Sequence, residues 1–393
     1  MNRYWADLHI HIGRTEKGEP VKISGSRDLT FYNIAKEASD RKGIDIVGII
    51  DCQSPFVQEE IMHYLDKGEM SELEGGGIRY GRTTIMLGSE IEVKDEGLGA
   101  AHLLVYLPTL QAMREFTDWL RPHMKNVGLS SQRLYLPARR LQEEAVGRGG
   151  MLIPAHIFTP YKSLFGSGAR HLADMLDPDR VAAVELGLSA DTEMASLLPE
   201  LDQYSFVTNS DAHSLGKIGR EYNELELAAP TFRELQLALG REGGRRIAAN
   251  YGLNPRLGKY HRTYCGACDS IVDEAQIAAE RCLYCGSPKI VRGVMDRIRS
   301  IAGRDEARIA EHHPPYKFQV PLEYMPGLGK KKLQTLLERF GTEMNILHRV
   351  GLEELREAVG VELAGYIAQA RAGTLQLEVG GGGRYGKVSR ERS

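Results

Sequence analysis

Residues 4–11 read YWADLHIH, an apolar run that closes on an acid and two imidazoles. The run is short, aliphatic and aromatic, the pattern of a strand covered on both faces. In an extended segment, side chains two residues apart point to the same side, so His9 and His11 present their rings together. Outward from this stretch the pattern repeats. Short aliphatic or β-branched runs occupy Asp45–Ile50, Thr84–Val93, His102–Tyr106, Met151–Ala155, Val181–Leu186 and Ser205–Asn209. Helical patterns lie at Gln111–Lys125, Pro137–Arg148, Asp191–Leu201 and Thr231–Arg241. This order predicts an α/β unit over residues 1–254, with repeated β-α units around a parallel sheet or barrel.

The chemistry sits at the ends of those runs. Asp51 follows the second, Glu90 lies in the third, and His102 opens the fourth. His156 follows the fifth, and Asp211 and His213 follow the last. In a parallel β/α barrel the C-terminal strand ends share one face, so residues far apart in sequence converge there. Imidazoles and carboxylates together suit zinc, manganese or iron, and a carboxylate can bridge two ions. One histidine at a strand end is ordinary. Five of them among several acids predict a metal site.

The 393 residues leave room for two or three domains, at roughly 100–200 residues each. A hydrophobic content of 42% and a charged content of 26% are those of an ordinary globular chain. No apolar run approaches the about 20 residues that span a bilayer. The strand pattern that begins almost at Met1 is not a secretory signal, so the expected location is the cytoplasm, without a membrane partner. Residues 1–254 carry 28 Lys and Arg against 36 Asp and Glu, whereas residues 255–393 carry 22 against 17. That division fits two ordinary solvated surfaces. It equally fits an acidic, cation-holding part joined to a basic, polyanion-holding part. Five cysteines without an export signal argue against a disulfide framework.

The motifs DLHIH (7–11), GIID (48–51), GSE (88–90), HLL (102–104), PAH (154–156) and SDAH (210–213) are similar to those of the PHP (polymerase and histidinol phosphatase) superfamily, over essentially residues 1–250. The resemblance implies a distorted (β/α)7 barrel with two or three divalent ions, zinc, manganese or magnesium. It implies hydrolysis of phosphate esters by a water that the ions activate. It implies ligands at His9, His11, Asp51, a bridging Glu90, His102, His156, Asp211 and His213. Asp7 and Glu185 stand as supporting groups, and Glu185 could also be a ligand or a base. Two departures stand out. Asp51 is followed by Cys52 where the superfamily often has Asp-His, and the place of a further early ligand falls near Lys17. Cys52 is either a thiolate ligand or an inert strand-end residue. No G-x-S-x-G, Walker or dinucleotide motif offers a competing chemistry.

Two further modules follow. Cys265-Gly-Ala-Cys268 and Cys282-Leu-Tyr-Cys285 form C-x2-C-x13-C-x2-C, the spacing of a tetrahedral structural zinc in a module over 255–314. Four thiolates leave no open position, so this zinc serves folding. Residues 320–341, VPLEYMPGLGKKKLQTLLERFG, resemble the helix-hairpin-helix DNA-binding motif of a helical domain over 315–378. There Gly327 and Gly329 let backbone N–H groups approach a phosphate at a helix N-terminus, and Lys330, Lys331 and Lys332 add counter-charge. Val359–Ala368 reads as a degenerate second copy, and 379–393 as a flexible tail.

Barrel, four-cysteine module and helix-hairpin-helix end, in this order, resemble the endonuclease Q family of repair nucleases. That resemblance implies DNA as partner. It implies cleavage 5′ of a deaminated base (uracil, hypoxanthine or xanthine) or of an abasic site, with the nucleotide extruded into a pocket. Ser130–Arg140 and Phe158–Ser167 are candidates for that pocket, or ordinary barrel loops. The alternatives are a small-molecule phosphomonoesterase and a non-catalytic metal-binding DNA scaffold. The first leaves the C-terminal modules without a role, and the second leaves the ligand set without one.

Overall fold

The opening stretch forms β1 (Asn2–Ile10), buried from Trp5 onward. The computed structural model describes residues 1–258, 260–272 and 281–374, with two-residue strands at 377–378 and 387–388. The expected flexible tail, 379–393, lies outside the described residues apart from Lys387–Val388. After β1 come β2 (Ile46–Ile49), β3 (Thr83–Val93), β4 (Ala101–Leu107), β5 (Met151–Pro154), β6 (Val184–Glu185) and β7 (Phe206–Val207). β1, β2 and β3 pair in parallel, and so do β6 and β7. Ala182 N–H donates to Leu152 C=O and links β5 to the entry of β6. The ring closes where Ala212, beyond β7, bridges Ile10 in parallel.

The expected parallel order is broken at β4, which is antiparallel to both β3 and β5. A parallel return needs a crossover of about a dozen residues or more. Residues 94–100 are too few, so the chain doubles back. His102, opening β4, therefore lies opposite Glu92, at the same end of the barrel as the C-terminus of β3. Gly48 in β2 lets the strands approach, since a Cβ there would stand 2.2 Å from Leu8 C=O.

Helices α1 (Phe31–Lys36), α2 (Pro55–Asp66), α3 (Leu110–Leu120) and α4 (Ala138–Gly147) bury Phe31, Ile61, Phe116 and Leu141 in one large apolar cluster. α3 gives way to a 3-10 turn at Pro122, and Asp191–Leu201 breaks into a one-turn helix and a 3-10 turn at Pro199. Proline cannot donate the interior helix bond. α5 (Phe232–Leu239) packs with Ala6, Met86 and Val207, and Ser205 at the entry of β7 donates to Leu239 C=O. α5 thus stands at the barrel end away from Asp211.

β8 (Tyr222–Leu227) pairs with the first half of β1, β9 (Arg246–Gly252) with β8, and β10 (Tyr316–Phe318) in parallel with β9. The C-terminal segment, expected to be helical from 315, therefore begins as a strand on the barrel's own sheet. The cysteine segment carries α6 (Val294–Ile301), whose Arg297 donates to the carbonyls of Phe165 and Ala169. Four helices follow: α7 (Lys330–Phe340), α8 (Glu343–His348), α9 (Leu352–Val359) and α10 (Val361–Ala372). His348 stacks on Trp5 at 4.2 Å between centroids, and Lys42 pairs with Glu343 at 3.0 Å in a buried contact, so this unit is anchored to the barrel. No helix among the described residues is long and apolar enough to cross a membrane.

Candidate metal centre

β1 delivers the two leading imidazoles. Its register against β2 shifts between Asp7 and Ile10. Ala6 and Leu8 pack in one apolar cluster and Ile10 in the other, so the irregularity re-aims the strand's end. Each buried ring is held from behind by a carboxylate. Glu185 Oε1 lies 3.0 Å from His9 Nδ1, and Asp51 Oδ2 lies 3.2 Å from His11 Nδ1. With Nδ1 engaged, Nε2 of both rings faces Glu90 and Asp211. His9 Nε2 is 3.6 Å from Glu90 Oε1 and 3.5 Å from Asp211 Oδ1. His11 Nε2 is 3.7 Å from Glu90 Oε2 and 3.5 Å from Asp211 Oδ1. Tetrahedral N and O ligands at about 2.0–2.2 Å from an ion stand roughly 3.3–3.6 Å apart, which these spacings suit.

A second group joins Glu90 Oε1 to His102 Nδ1 at 2.8 Å and His156 Nε2 at 3.4 Å. A third comprises His11, Asp211 and His213. Glu90 belongs to the first two groups, the position of a bridging carboxylate. His9 Nε2, both ring nitrogens of His102 and His156 Nδ1 are buried without hydrogen-bond partners. An unsatisfied buried polar group costs about 1–3 kcal/mol, and a bound cation would relieve it at the first two rings.

The electrostatics agree. Burial pushes the Glu90 carboxyl up, but His102 and Lys22 hold it well below the usual range. Asp211 is likewise held well below, by His9 and His11 against burial. Burial opposes the His9 imidazolium, yet Glu185, Asp211 and Glu90 raise it to about 10. Three carboxylates gathered around one buried imidazole favour a cation at this point. Backbone strain gathers here too. Six non-glycine residues among those described have positive φ. Ser131 (53°), His156 (31°) and Asp211 (46°) belong to or touch the site, and Lys162 (52°) lines its cavity. Such conformations cost about 1–3 kcal/mol each and persist where surrounding structure imposes them.

Seven of the eight expected barrel ligands thus fall into three groups. Asp51 is in none of them: it stands behind His11 and accepts from Ile12 N–H at 2.7 Å. Glu185 lines the cavity but joins none of the three groups; it accepts from His156 N–H and Asn209 Nδ2 at 2.7 Å each. Asp7 faces the backbone N–H groups of Ser210 and Gly219, at 3.0 and 2.8 Å, and ties the Asp211 loop to β1. Cys52 is buried, donates to Ile49 C=O at 3.1 Å and has its thiol pushed up by burial, which suits the inert reading. Lys17 is exposed beside Glu59.

Sequence reasoning missed Lys22 as a neighbour of the ligands and placed Ser130 and Ser131 only within a candidate pocket stretch. Lys22 Nζ is 2.6 Å from Ser131 Oγ and 3.5 Å from Glu90 Oε2. Ser131 donates to Glu90, and Ser130 Oγ is 3.1 Å from His11 Nδ1. No spacing signals Lys22; backbone bonds from Lys22 N–H to Ile12 C=O and from Ser26 N–H to His213 C=O bring it there. The cavity around the ligands measures about 510 Å³, and Thr159, Tyr161, Lys162 and Tyr260 lie on its wall. Phe158–Ser167 therefore contributes to it, whereas only the first residues of Ser130–Arg140 reach the ligands. A larger cavity of about 970 Å³, beside Asp191, Arg256 and Arg304, holds none of the barrel ligands.

In the second module, Cys265 and Cys285 Sγ are 3.6 Å apart, and Cys268 and Cys282 Sγ are 3.7 Å apart. Four sulfurs at about 2.3 Å from one ion stand roughly 3.8 Å apart, whereas a disulfide requires about 2.05 Å. The four suit one ion. In the C-terminal unit, Gly327 takes a φ of 79° that a side chain would strain, and Gly329 caps α7. Lys330, Lys331 and Lys332 are exposed on its first turn, with no ion-pair partner among the described residues.

No family model matches the chain. It is 49% identical to the uncharacterised protein YqxK of Bacillus subtilis over 390 residues, 99% of this chain and 100% of that one. Its structure is similar to that of the lesion-specific endonuclease PfuEndoQ from Pyrococcus furiosus, at a TM-score of 0.85 and 30% identity, covering 100% of this chain and 96% of that one. The same TM-score and identity relate it to an endonuclease Q in complex with a 27-mer duplex substrate bearing an abasic lesion at the active site, covering 100% of this chain and 97% of that one.

Proposed function

The chain belongs to the endonuclease Q family, and from that premise we propose that it cuts DNA 5′ of uracil, hypoxanthine, xanthine or an abasic site. It is a metal-dependent DNA endonuclease acting on lesions. The observation that carries the finer reading is the convergence of His9, His11, Glu90, His102, His156, Asp211 and His213 beside one cavity with aromatic and cationic walls. These residues would hold divalent ions, which when bound would lower the pKa of a water and offset charge on the phosphate. Glu90, shared by two groups, sets the spacing between them. Glu185 and Asp51 lock the tautomers of His9 and His11 so that Nε2 faces the cavity. Tyr161 and Tyr260, edge to face at 5.8 Å, offer a wall against which an extruded nucleotide can rest. Gly327, Gly329 and Lys330–Lys332 grip phosphates without reading bases, and one structural zinc on the four cysteines holds the central module.

The test uses purified protein, manganese, and labelled duplexes carrying uracil, hypoxanthine, xanthine, an abasic site or no lesion, with 4-nitrophenyl phosphate as a monoester control. The expected result is a single cut 5′ of each lesion and none elsewhere. Asp211→Asn is expected to lose cleavage and keep DNA binding. Equal cutting of undamaged duplex, or turnover of the monoester alone, would refute the reading.

A further inference from the structure

Resting on that reading, we propose that Lys22 is a further catalytic residue, whose ammonium donates a hydrogen bond to a non-bridging oxygen of the phosphodiester being cut. Lys22 lines the cavity beside the ligand groups, and 17% of its side chain is exposed. An ammonium has three N–H donors. Among the described residues two are engaged, by Ser131 Oγ at 2.6 Å and Glu90 Oε2 at 3.5 Å. A lysine that served only to neutralise Glu90 would close to about 2.7–2.9 Å on its carboxylate. Here the short contact is to a neutral hydroxyl and the salt bridge to Glu90 is long, so the charge is shared between that carboxylate and the cavity. The cavity's other cations are committed: Lys162 closes on Glu92 at 2.8 Å, and Arg220 donates to Ser210 C=O at 2.7 Å.

The placement is rigid as well as central. Lys22 and Gly25 close a turn through a 2.9 Å backbone bond, and that turn is tied to Ile12 on one side and His213 on the other. Ser131, which orients the ammonium, holds the strained φ of 53°. A cation fixed beside Glu90 and His11, and reachable from the cavity, stands where charge grows on phosphate oxygens as the water attacks.

The experiment compares wild type, Lys22→Met and Lys22→Arg in single-turnover cleavage of an abasic-site duplex at saturating manganese, with manganese affinity and DNA affinity measured separately. Stereodefined phosphorothioates at the scissile position supply the readout a structural role would not move. Removing a donor of this kind costs about 10²–10³-fold in rate. Lys22→Met is expected to lose that much with metal and DNA affinities within a few-fold of wild type, and Lys22→Arg to recover part of it. On one diastereomer the sulfur penalty of wild type is expected to shrink in Lys22→Met, because that variant has no ammonium for the sulfur to disturb. The proposal is overturned if extra manganese rescues Lys22→Met, or if both diastereomers keep their full penalty. Bis(4-nitrophenyl) phosphate separates the two failures. If wild type hydrolyses it but cuts no lesion duplex, the DNA reading fails, and the same variants decide the role of Lys22 on the small diester.

Discussion

Glu185→Gln removes one charge and no volume, yet the structure predicts that it loosens the metal centre. The carboxylate is buried and both its oxygens face donors. Oε1 meets His9 Nδ1 at 3.0 Å and Asn209 Nδ2 at 2.7 Å, while Oε2 meets His156 N–H at 2.7 Å. An amide must turn its NH2 toward one side. In one orientation His156 N–H loses its acceptor, and in the other Asn209 does. Either leaves a buried donor unsatisfied, at about 1–3 kcal/mol. The cost falls on Asn209 or on His156, already held at a strained φ of 31°, and in both cases His9 loses its nearest negative partner. Loss of a group that orients a metal-binding histidine costs about 10–100-fold in metal affinity, about 1.4–2.8 kcal/mol. The two routes to the magnitude agree. The assay is a manganese titration of single-turnover cleavage, with melting of the metal-free protein as a folding control. The midpoint is expected to rise 10–100-fold while the rate at saturating manganese stays within a few-fold of wild type. An unchanged midpoint in a folded variant would show that Glu185 does not orient His9 toward an ion.

Three other outcomes are expected. Cys265→Ser should lower bound zinc by about one ion per chain and destabilise the central module, because such a site supplies roughly 10 kcal/mol or more of folding energy; full zinc content with unchanged melting would refute the structural site. Alanine at Lys330, Lys331 and Lys332 together should weaken binding to damaged and intact duplexes alike and flatten the plot of log affinity against log salt by about 0.9 for each phosphate no longer neutralised; weakening confined to the damaged duplex would move lesion reading to the C-terminal unit. Burial raises the Glu221 carboxyl to about 8 against the hydrogen bonds from Thr208 and Leu253 N–H. The folded state thus keeps a proton that the unfolded chain releases near an ordinary glutamate value, so the stabilisation is complete below about pH 4 and disappears as pH rises through about 8. Urea midpoints at pH 5 and pH 9 should differ more for wild type than for Glu221→Gln, and equal differences would contradict the assignment.

Much of the candidate site was legible because metal binding restricts chemistry. Few side chains donate to a divalent ion, and His9, His11, Glu90, His102, His156, Asp211 and His213 all stand at the ends of short apolar runs. His102 opens its run instead of closing it, and it reaches the other candidate ligands because β4 runs antiparallel and brings its first residues to the shared face. Asp51 shows the reverse: its residue type and position match a ligand, but its carboxylate turns to His11 Nδ1. Lys22 was invisible because lysine has no fixed meaning in a loop.

What the sequence by itself determined is the set of local decisions. Alternation and run length mark the strands, proline and glycine mark the breaks, and C-x2-C turns bring sulfurs together within a few residues. The PGLG turn before three lysines is likewise a local geometry. What only the tertiary structure decided is which face each distant group meets. The direction of β4, the bulge that turns His9 and His11, the closure of the ring at Ala212 and the arrival of Lys22 all depend on hydrogen bonds between segments far apart in the chain. Each such bond is of modest net strength, about 0.5–1.5 kcal/mol, and no pattern within one segment specifies its partner. The candidate donors were therefore written in the chain, while which of them meet in a group, which stand behind and which cation joins them depends on packing.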